Sequence, residues 1–258
     1  MLPPGRGPVA RLEPPVAERI RMPHAVRRGR AVASALVLVA VLALVGCAPG
    51  DGQPRLVTQE EAELLSEARL RNHEAGSRPF SFAVSSAGQD FVVSGWVDWR
   101  SGTGYGLAVP NRSDPLLLRW DALRAEVQLA PEGTAAPLPL PADGWMPRGL
   151  DPAGVPLDAV LAAVVELAAE SADDPEQLVA SGALRLGSTE AAGERLTLFA
   201  LPPSAEPVEA PPDPEASSLR LQLDEDGLIV AAQLRVGGGW VDIGLGAADG
   251  TTIAPIPA

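Results

Sequence analysis

The chain has 258 residues, enough for one large domain or two small ones, and its 46% of hydrophobic residues can form a substantial core. With 27 prolines and 26 glycines, much of the chain is expected in loops and turns. From Cys47 onward, 13 arginines stand against 31 acidic residues, a net charge of −18, which argues against a nucleic-acid partner. Cys47 is the single cysteine, so an intramolecular disulfide and a cysteine-based metal site are excluded.

Residues 1–46 have the pattern of a secretory signal peptide. Arg27, Arg28 and Arg30 precede an uncharged apolar run at 31–46, which ends in small residues. This order of positive charge, apolar run and small residues is typical of export signals. The stretch before Met22 is rich in proline and arginine, unlike the start of such a signal, and a true start at Met22 would give a signal of ordinary length.

The end of the apolar run is a lipobox. Leu44, Val45 and Gly46 precede Cys47, with the leucine three positions before the cysteine and a small residue next to it. The thiol of such a cysteine accepts a diacylglyceryl group, and the small neighbour lets the lipoprotein signal peptidase cut before it. Two or three acyl chains would then hold the protein stably at a membrane, each buried methylene contributing roughly 0.8 kcal/mol.

An uncleaved transmembrane anchor is the alternative for the same segment. The apolar run has 16 residues, however, and a spanning helix needs about 20. The residues that follow Cys47 are polar and flexible and do not form a basic stop-transfer flank. We therefore predict a signal peptide at 1–46, a flexible tether at 47–57, and a lipid anchor at the extracytoplasmic face of the cell membrane.

The sequence after the tether predicts a single α+β domain over residues 58–250, followed by a tail at 251–258. Thr58 and Glu61 form a capping box for a helix that stops at Gly76. From Phe80 the hydrophobic period changes to two, which indicates antiparallel strands in a meander. The expected fold is a curved antiparallel sheet, a half-barrel, of about nine strands packed on two to three helices.

The later elements follow from capping and proline signals. Pro156 suits the first turn of a helix, and Leu157–Ser171 carries a wide apolar stripe, so we expect a long helix there that the sheet covers. Asp174 is the expected N-cap of a short third helix. Two Pro-rich loops, at 131–156 and 202–216, interrupt the strands.

Motifs for catalysis, metal binding or a cofactor are not apparent. His73 is expected at the surface of the first helix, without a serine or cysteine partner in sequence context. Gly102–Gly106 joins two strands and is interpreted as a hairpin instead of a phosphate loop, and Asp224–Gly227 lacks the later ligands of a calcium loop and is interpreted as a turn. We therefore expect no enzyme activity, no metal and no cofactor.

The order of these features resembles the LolA/LppX-type lipoproteins of actinobacteria. The resemblance rests on the lipobox and on four stretches: 69–76, 94–100 with Gly104 and Tyr105, Leu118–Trp120, and the hairpin at 221–245. It implies a curved sheet around helices, with a hydrophobic cavity between them that carries lipids or lipidated cargo. The two Pro-rich loops could cover or replace that cavity.

The sequence is compatible with two functions. The first is a carrier with a lipid or hydrophobic ligand between sheet and helices; the expected cavity residues are Phe91, Val93, Val97, Trp99, Leu161, Val164 and Val165. The second is a surface interaction or accessory lipoprotein with a filled core and no ligand. In the second, Trp96 and Trp240, which fall on polar strand faces, would form the contact surface.

Replacing the lipobox cysteine provides a direct test of the anchor. In the wild-type protein, trypsin should release residues 47–55 as an acylated peptide, because cleavage leaves Cys47 at the N-terminus and the next arginine is Arg55. In Cys47→Ala this acylated peptide should be absent from the mass spectrum, because alanine has no thiol to modify. Gly46→Ala, which keeps a small residue before the cysteine, is the control. An unmodified Cys47 in wild-type membranes would refute the prediction.

Overall fold

The computed structural model describes residues 53–131, 135–191 and 193–257, and it confirms an α+β fold with one antiparallel sheet. The helices are α1 (Gln59–Ala75), α2 (Pro156–Glu166) and α3 (Pro175–Ala180), with a 3₁₀ turn at Pro214–Ala216. The strands are β1 (Arg55–Leu56), β2 (Ser77–Ser86), β3 (Gln89–Asp98), β4 (Thr103–Pro110), β5 (Leu116–Trp120), β6 (Arg124–Leu129), β7 (Met146–Gly149), β8 (Leu184–Ala191), β9 (Glu194–Ala200), β10 (Leu219–Leu223), β11 (Ile229–Val236) and β12 (Gly239–Leu245). Their order across the open sheet is β1-β8-β9-β10-β11-β12-β2-β3-β4-β5-β6-β7.

Helix α1 begins and ends where the sequence predicts. The Thr58 hydroxyl accepts a hydrogen bond from the Glu61 amide at 3.2 Å, and the Glu61 carboxylate accepts one from the Thr58 amide at 3.0 Å. Both partners of the capping box are therefore in place. Gly76 follows the last helical residue with φ +75°, a conformation that glycine adopts without steric cost.

Helix α2 is shorter than the sequence suggested. It ends at Glu166, although the apolar pattern extended to Ser171. Beyond Leu167 the backbone turns toward α1, where the Ala169 amide donates to the Arg69 carbonyl at 3.1 Å and the Asp173 amide donates to the Ser66 carbonyl at 2.9 Å. Bonds to a neighbouring helix thus replace further turns of α2. Asp174 caps α3 as predicted, accepting from the amides of Glu176 and Gln177.

The described residues form twelve strands where about nine were expected. Two of the additional strands are β1, in the segment predicted as a tether, and β7, in the Pro-rich loop at 131–156. Each pairs with an existing strand, β1 with β8 and β7 with β6, so backbone hydrogen bonds hold them without any pattern of their own. Among the described residues the sheet therefore begins at Arg55, inside the segment 47–57 that was predicted as a tether.

The end of the chain is also part of the fold instead of a tail. Ile253 and Ile256 are buried, and the Ile253 amide donates to the buried Asp98 carboxylate at 3.2 Å. The predicted boundary at residue 250 is therefore wrong, because the apolar residues after it pack against the sheet.

One hydrophobic core lies between the helices and one face of the sheet. It contains side chains from α1, α2, strands β2 to β6 and strands β9 to β12. Helix α2 contacts β2, β4 and β11, which lie apart in the sheet order, so the sheet must curve around the helix to reach it. Two indole groups fix the helix: Trp99 Nε1 donates to the Val164 carbonyl at 3.0 Å, and Trp120 Nε1 donates to the Leu161 carbonyl at 2.8 Å.

Glycines permit close approach where β3, β4 and β5 meet. Gly95 and Gly106 are paired across β3 and β4, and a Cβ atom on Gly95 would lie 2.0 Å from the Tyr105 carbonyl oxygen. A Cβ atom on Gly104 would lie 2.2 Å from the indole of Trp120. Side chains at these positions would therefore push the strands and the indole apart.

A second hydrophobic cluster covers the opposite face of the same strands. Tyr105, Leu107 and Leu117 point away from the helices and pack against Ala136 of the Pro-rich loop and Ile253 of the C-terminal segment. The cluster is extended by Trp96, Ala130, Leu140 and Trp145. The first part of this loop therefore lies on the outer face of the sheet, whereas its end, at 152–156, borders a hollow beside α2. As a result β4 is buried on both faces.

A buried arginine connects four parts of the fold. Arg78 is 2% exposed, and its guanidinium donates to Asn72 Oδ1 at 3.0 Å, to the Ile229 carbonyl at 2.8 Å and to the Gly246 carbonyl at 2.7 Å. Burial lowers the pKa of Arg78 to about 10, and the nearby Asp224 charge partly opposes this shift. Asn72 in turn donates to the Leu167 carbonyl at 2.9 Å, so the network reaches the end of α2.

Replacing Asn72 should destabilise the fold strongly. Asn72→Leu keeps the side-chain volume, but leaves the Leu167 carbonyl without its donor and the buried guanidinium without one acceptor, at a cost of about 2–4 kcal/mol in the free energy of unfolding. Denaturant unfolding measures this. Asn111→Leu is the matched control, because Asn111 is exposed and its loss should change stability by less than about 1 kcal/mol. Equal losses in the two variants would contradict the role of the network.

The ionisation of the single tyrosine should report on the outer layer. Burial raises the pKa of Tyr105 to about 12, and its hydroxyl donates to the Pro137 carbonyl at 2.8 Å. The neutral form is the one that the fold favours, so this contribution to stability is complete below pH 10 and is lost as the pH rises through about 12. An absorbance titration at the tyrosinate band should give a midpoint well above the ordinary value in the folded protein, and close to it in denaturant. A native midpoint near pH 10 would refute the packing.

Candidate functional site

The predicted lipid-attachment residues lie outside the described part of the chain. Cys47 and the lipobox residues Leu44, Val45 and Gly46 come before residue 53, so lipid attachment remains a prediction from the sequence. Within the described ranges, none of the helices has both the length and the hydrophobicity to cross a bilayer. The same ranges contain no group of three or more histidine, cysteine, aspartate or glutamate side chains placed to bind a metal ion.

The candidate ligand site is a cleft of about 540 Å³ among the three helices and strands β10 and β11. Clefts that bind small molecules usually have volumes of about 300–1,000 Å³. Its lining is mainly leucine and alanine, with a few charged and polar residues: Leu65, Arg69, Ala163, Glu166, Leu167, Asp173, Asp174, Gln177, Leu178, Ser181, Leu201, Pro202, Ser204, Ala205, Ser218, Leu219, Leu221 and Leu234. We refer to it as the leucine cleft.

Backbone contacts between the helices position this cleft. The segment between α2 and α3 is held along α1 by the bonds from Ala169 and Asp173 described above. The Pro-rich loop at 202–216 closes another side, because the Val208 amide donates to the Ala180 carbonyl at the end of α3 at 2.9 Å. Of the two Pro-rich loops, this one does border the cleft.

The interior of the cleft is apolar and its outer part is polar. Leu65, Leu167 and Leu221 are each 2% exposed and form its inner wall, whereas Leu178 and Leu219 are half-buried. Glu166 and Asp174, which also line the cleft, are exposed.

The seven residues predicted to line a cavity do not line the leucine cleft. Val93, Val97, Trp99, Leu161 and Val164 belong to the main core. Phe91 and Val165 are half-buried and pack against that core. The alternating pattern indicates which strand face points toward the helices, but α2 fills the space in front of β2 to β4. The cleft lies beside strands β10 and β11, where the loops and α3 leave space that side chains do not occupy.

The residues interpreted as structural in the sequence have structural roles. Gly102, with φ +63°, turns the chain from β3 into β4, so Gly102–Gly106 belongs to a hairpin. The Asp224 carboxylate accepts from the amides of Asp226 and Leu228, which closes the Asp224–Gly227 turn. His73 lies half-buried in the last turn of α1.

The two tryptophans expected at a contact surface already have partners in this chain. Trp96 Nε1 donates to Asp249 at 2.9 Å, and its ring packs in the outer cluster. The ring of Trp240 lies 4.1 Å from the guanidinium of Arg220 and 5.7 Å from that of Arg235. Neither side chain is therefore an isolated exposed ring, because the C-terminal segment and neighbouring arginines cover them.

Comparisons with known proteins find distant structural likenesses. No family model matches the sequence, and no curated protein is significantly similar to it. Among solved structures, the chain is similar to LprF from Mycobacterium bovis, with 16% identity and a TM-score of 0.40 over 80% of this chain and 100% of that one. It is similar to the lipoprotein LppX from Mycobacterium tuberculosis, with 13% identity and a TM-score of 0.38 over 74% and 97%.

A third similar structure comes from Vibrio parahaemolyticus and is described as an outer membrane lipoprotein-sorting protein domain. It has 11% identity and a TM-score of 0.30, covering 73% of this chain and 91% of that one. The likeness is one of fold, and no residue role is carried over from it.

Proposed function

We propose that this chain is a lipoprotein, anchored through Cys47 at the extracytoplasmic face of the cell membrane, that binds the acyl part of a lipid in the leucine cleft. The observation that carries the proposal is the cleft itself, about 540 Å³ of open space against buried leucines. Apolar surface in contact with water is unfavourable, so an acyl chain that replaces the water gains free energy. The role is binding and carriage, without catalysis.

The position of the cleft relative to the anchor supports this proposal. The Val57 amide donates to the Ala183 carbonyl at 3.0 Å, and Ser181, two residues away, lines the cleft. The seven residues between Cys47 and Arg55 span at most about 25 Å. An anchor at Cys47 would therefore keep the cleft close to the bilayer from which a lipid is taken.

A surface interaction lipoprotein without a ligand is the second candidate. The packing around Trp99 and Trp120 favours it, because the core between β2 to β5 and α2 is filled by side chains. In that case the leucine cleft would be a surface depression that stays empty in membranes. The two candidates therefore differ in one measurable property, the occupancy of the cleft.

Photo-crosslinking in native membranes distinguishes them. Membranes with the full chain are treated with hexadecanol that carries a diazirine near the end of its alkyl chain, then irradiated and digested with trypsin. We expect the label on the two peptides that contain most of the cleft, residues 149–185 and 196–220. Ala163→Trp, which puts an indole into the cleft, should reduce this labelling about tenfold, because the probe and the indole compete for the same volume.

Two controls accompany this experiment. Ala248→Trp adds the same side chain at an exposed position that does not line the cleft, and its labelling should equal that of the wild type. Unchanged far-ultraviolet circular dichroism of Ala163→Trp shows that α2 is retained. Labelling spread evenly over all peptides, or insensitive to Ala163→Trp, would favour the interaction lipoprotein.

A further inference from the structure

More acidic than basic residues line the leucine cleft. Four charged residues line it, and only Arg69 is basic; the others are Glu166, Asp173 and Asp174. An apolar interior accepts many lipids with similar free energy. The polar end of the ligand is therefore selected by these four side chains.

The single arginine is already paired. Its Nη1 lies 3.2 Å from Asp173 Oδ1 in an ion pair, and its Nε donates to the Glu166 carbonyl at 3.0 Å. Arg69 and Asp173 thus neutralise each other, and Arg69 has the structural task of joining α1 to the end of α2. The carboxylates of Glu166 and Asp174 have no ion-pair partner among the described residues, although that of Asp174 also accepts from the amides of Glu176 and Gln177 as the N-cap of α3.

The carbonyl groups at the end of α2 already have donors. Glu166 is the last residue of α2, and its carbonyl accepts from Arg69, while the Leu167 carbonyl accepts from Asn72. The negative charge at this place is therefore that of the side-chain carboxylates. A second hollow, of about 480 Å³, continues from the cleft along α2 and shares Ala163, Glu166 and Leu234 with it. Its one basic residue is Arg235, whose guanidinium faces Trp240 and donates to the Glu215 carbonyl.

From this arrangement we infer that the cleft selects lipids whose polar end carries a protonated amine and rejects lipids of net negative charge. An ammonium group beside Glu166 and Asp174 gains charge-assisted hydrogen bonds and opposite-charge attraction. A phosphate or carboxylate at the same place meets like charge from both side chains. The inference rests on the proposed function, because it concerns the ligand of the same cleft.

The test uses three diazirine probes with the same sixteen-carbon chain: hexadecylamine, hexadecanol and hexadecyl phosphate. Each is added to membranes that contain the full chain, and labelling of residues 149–185 and 196–220 is quantified after trypsin digestion. In the wild type we expect the amine to label these peptides most and the phosphate least. The double variant Glu166→Gln/Asp174→Asn should lower the amine-to-phosphate ratio about fivefold, the size expected for exposed charge pairs.

The double variant keeps the local structure, since asparagine is also a good N-cap residue for α3. Glu170→Gln/Glu190→Gln is the matched control, because it removes the same charge from two exposed positions that do not line the cleft. This control should leave the ratio at the wild-type value and so accounts for probe partition into the membrane.

The outcomes separate this inference from the proposed function. If hexadecanol labels the cleft peptides, but the phosphate labels them as strongly as the amine or the double variant leaves the ratio unchanged, the charge selection is overturned and lipid binding stands. If none of the three probes labels the cleft peptides above the rest of the chain, lipid binding itself is overturned.

Discussion

The fold depends on how the buried guanidinium of Arg78 is satisfied. A charge with so little solvent contact is stable only if fixed oxygen atoms replace water around it. Its three acceptors come from α1, from the start of β11 and from the residue after β12, so these parts must meet at one point. The lowered pKa of Arg78, caused by desolvation, reflects the cost of that burial. Breaking any one contact leaves a buried polar group unpaired.

The same network positions part of the inner wall of the leucine cleft. Asn72 accepts from Arg78 and donates to the Leu167 carbonyl, directly after the last residue of α2. This bond fixes the position of Leu167 relative to α1, and Leu65 of α1 and Leu167 both form the inner wall of the cleft. The inner side of the cleft is therefore held by the Arg78 network. Its outer side is formed by α3, which has no buried residues, and by the Pro-rich loop at 202–216.

Local signals in the sequence were sufficient to predict the elements that depend on neighbouring residues. The capping box at Thr58, the Asp174 cap and the alternation through β2 and β3 all confirm this. Elements defined by distant partners could not be predicted in this way. Strand β1 has two residues and exists through its bonds to β8, and α2 ends early because the backbone after it bonds to α1.

The location of the cleft was missed for the same reason. Apolar periodicity in β3 and in α2 predicted that Val93, Val97 and Val164 face each other, and they do so inside the main core. Periodicity shows which faces meet, but the space left between them depends on side-chain volumes, and the indoles of Trp99 and Trp120 fill it. Leu178 lies in the short helix α3, and Leu201 and Leu219 lie at the ends of strands, so no repeating pattern marks the three as a common surface.

The two sides of the leucine cleft are built differently. The Arg78 network holds its inner wall, and α3 and the Pro-rich loop at 202–216 form its outer side. The sheet has no unpaired strand near the cleft that could open, because β9, β10 and β11 are paired on both sides. Helix α3 packs on α1, and Leu178 and Val179 contact the main core. The Val208–Ala180 bond joins the end of α3 to the Pro-rich loop. The proposed acyl chain would therefore lie between the inner wall, which the Arg78 network holds in place, and an outer side formed by α3 and the 202–216 loop.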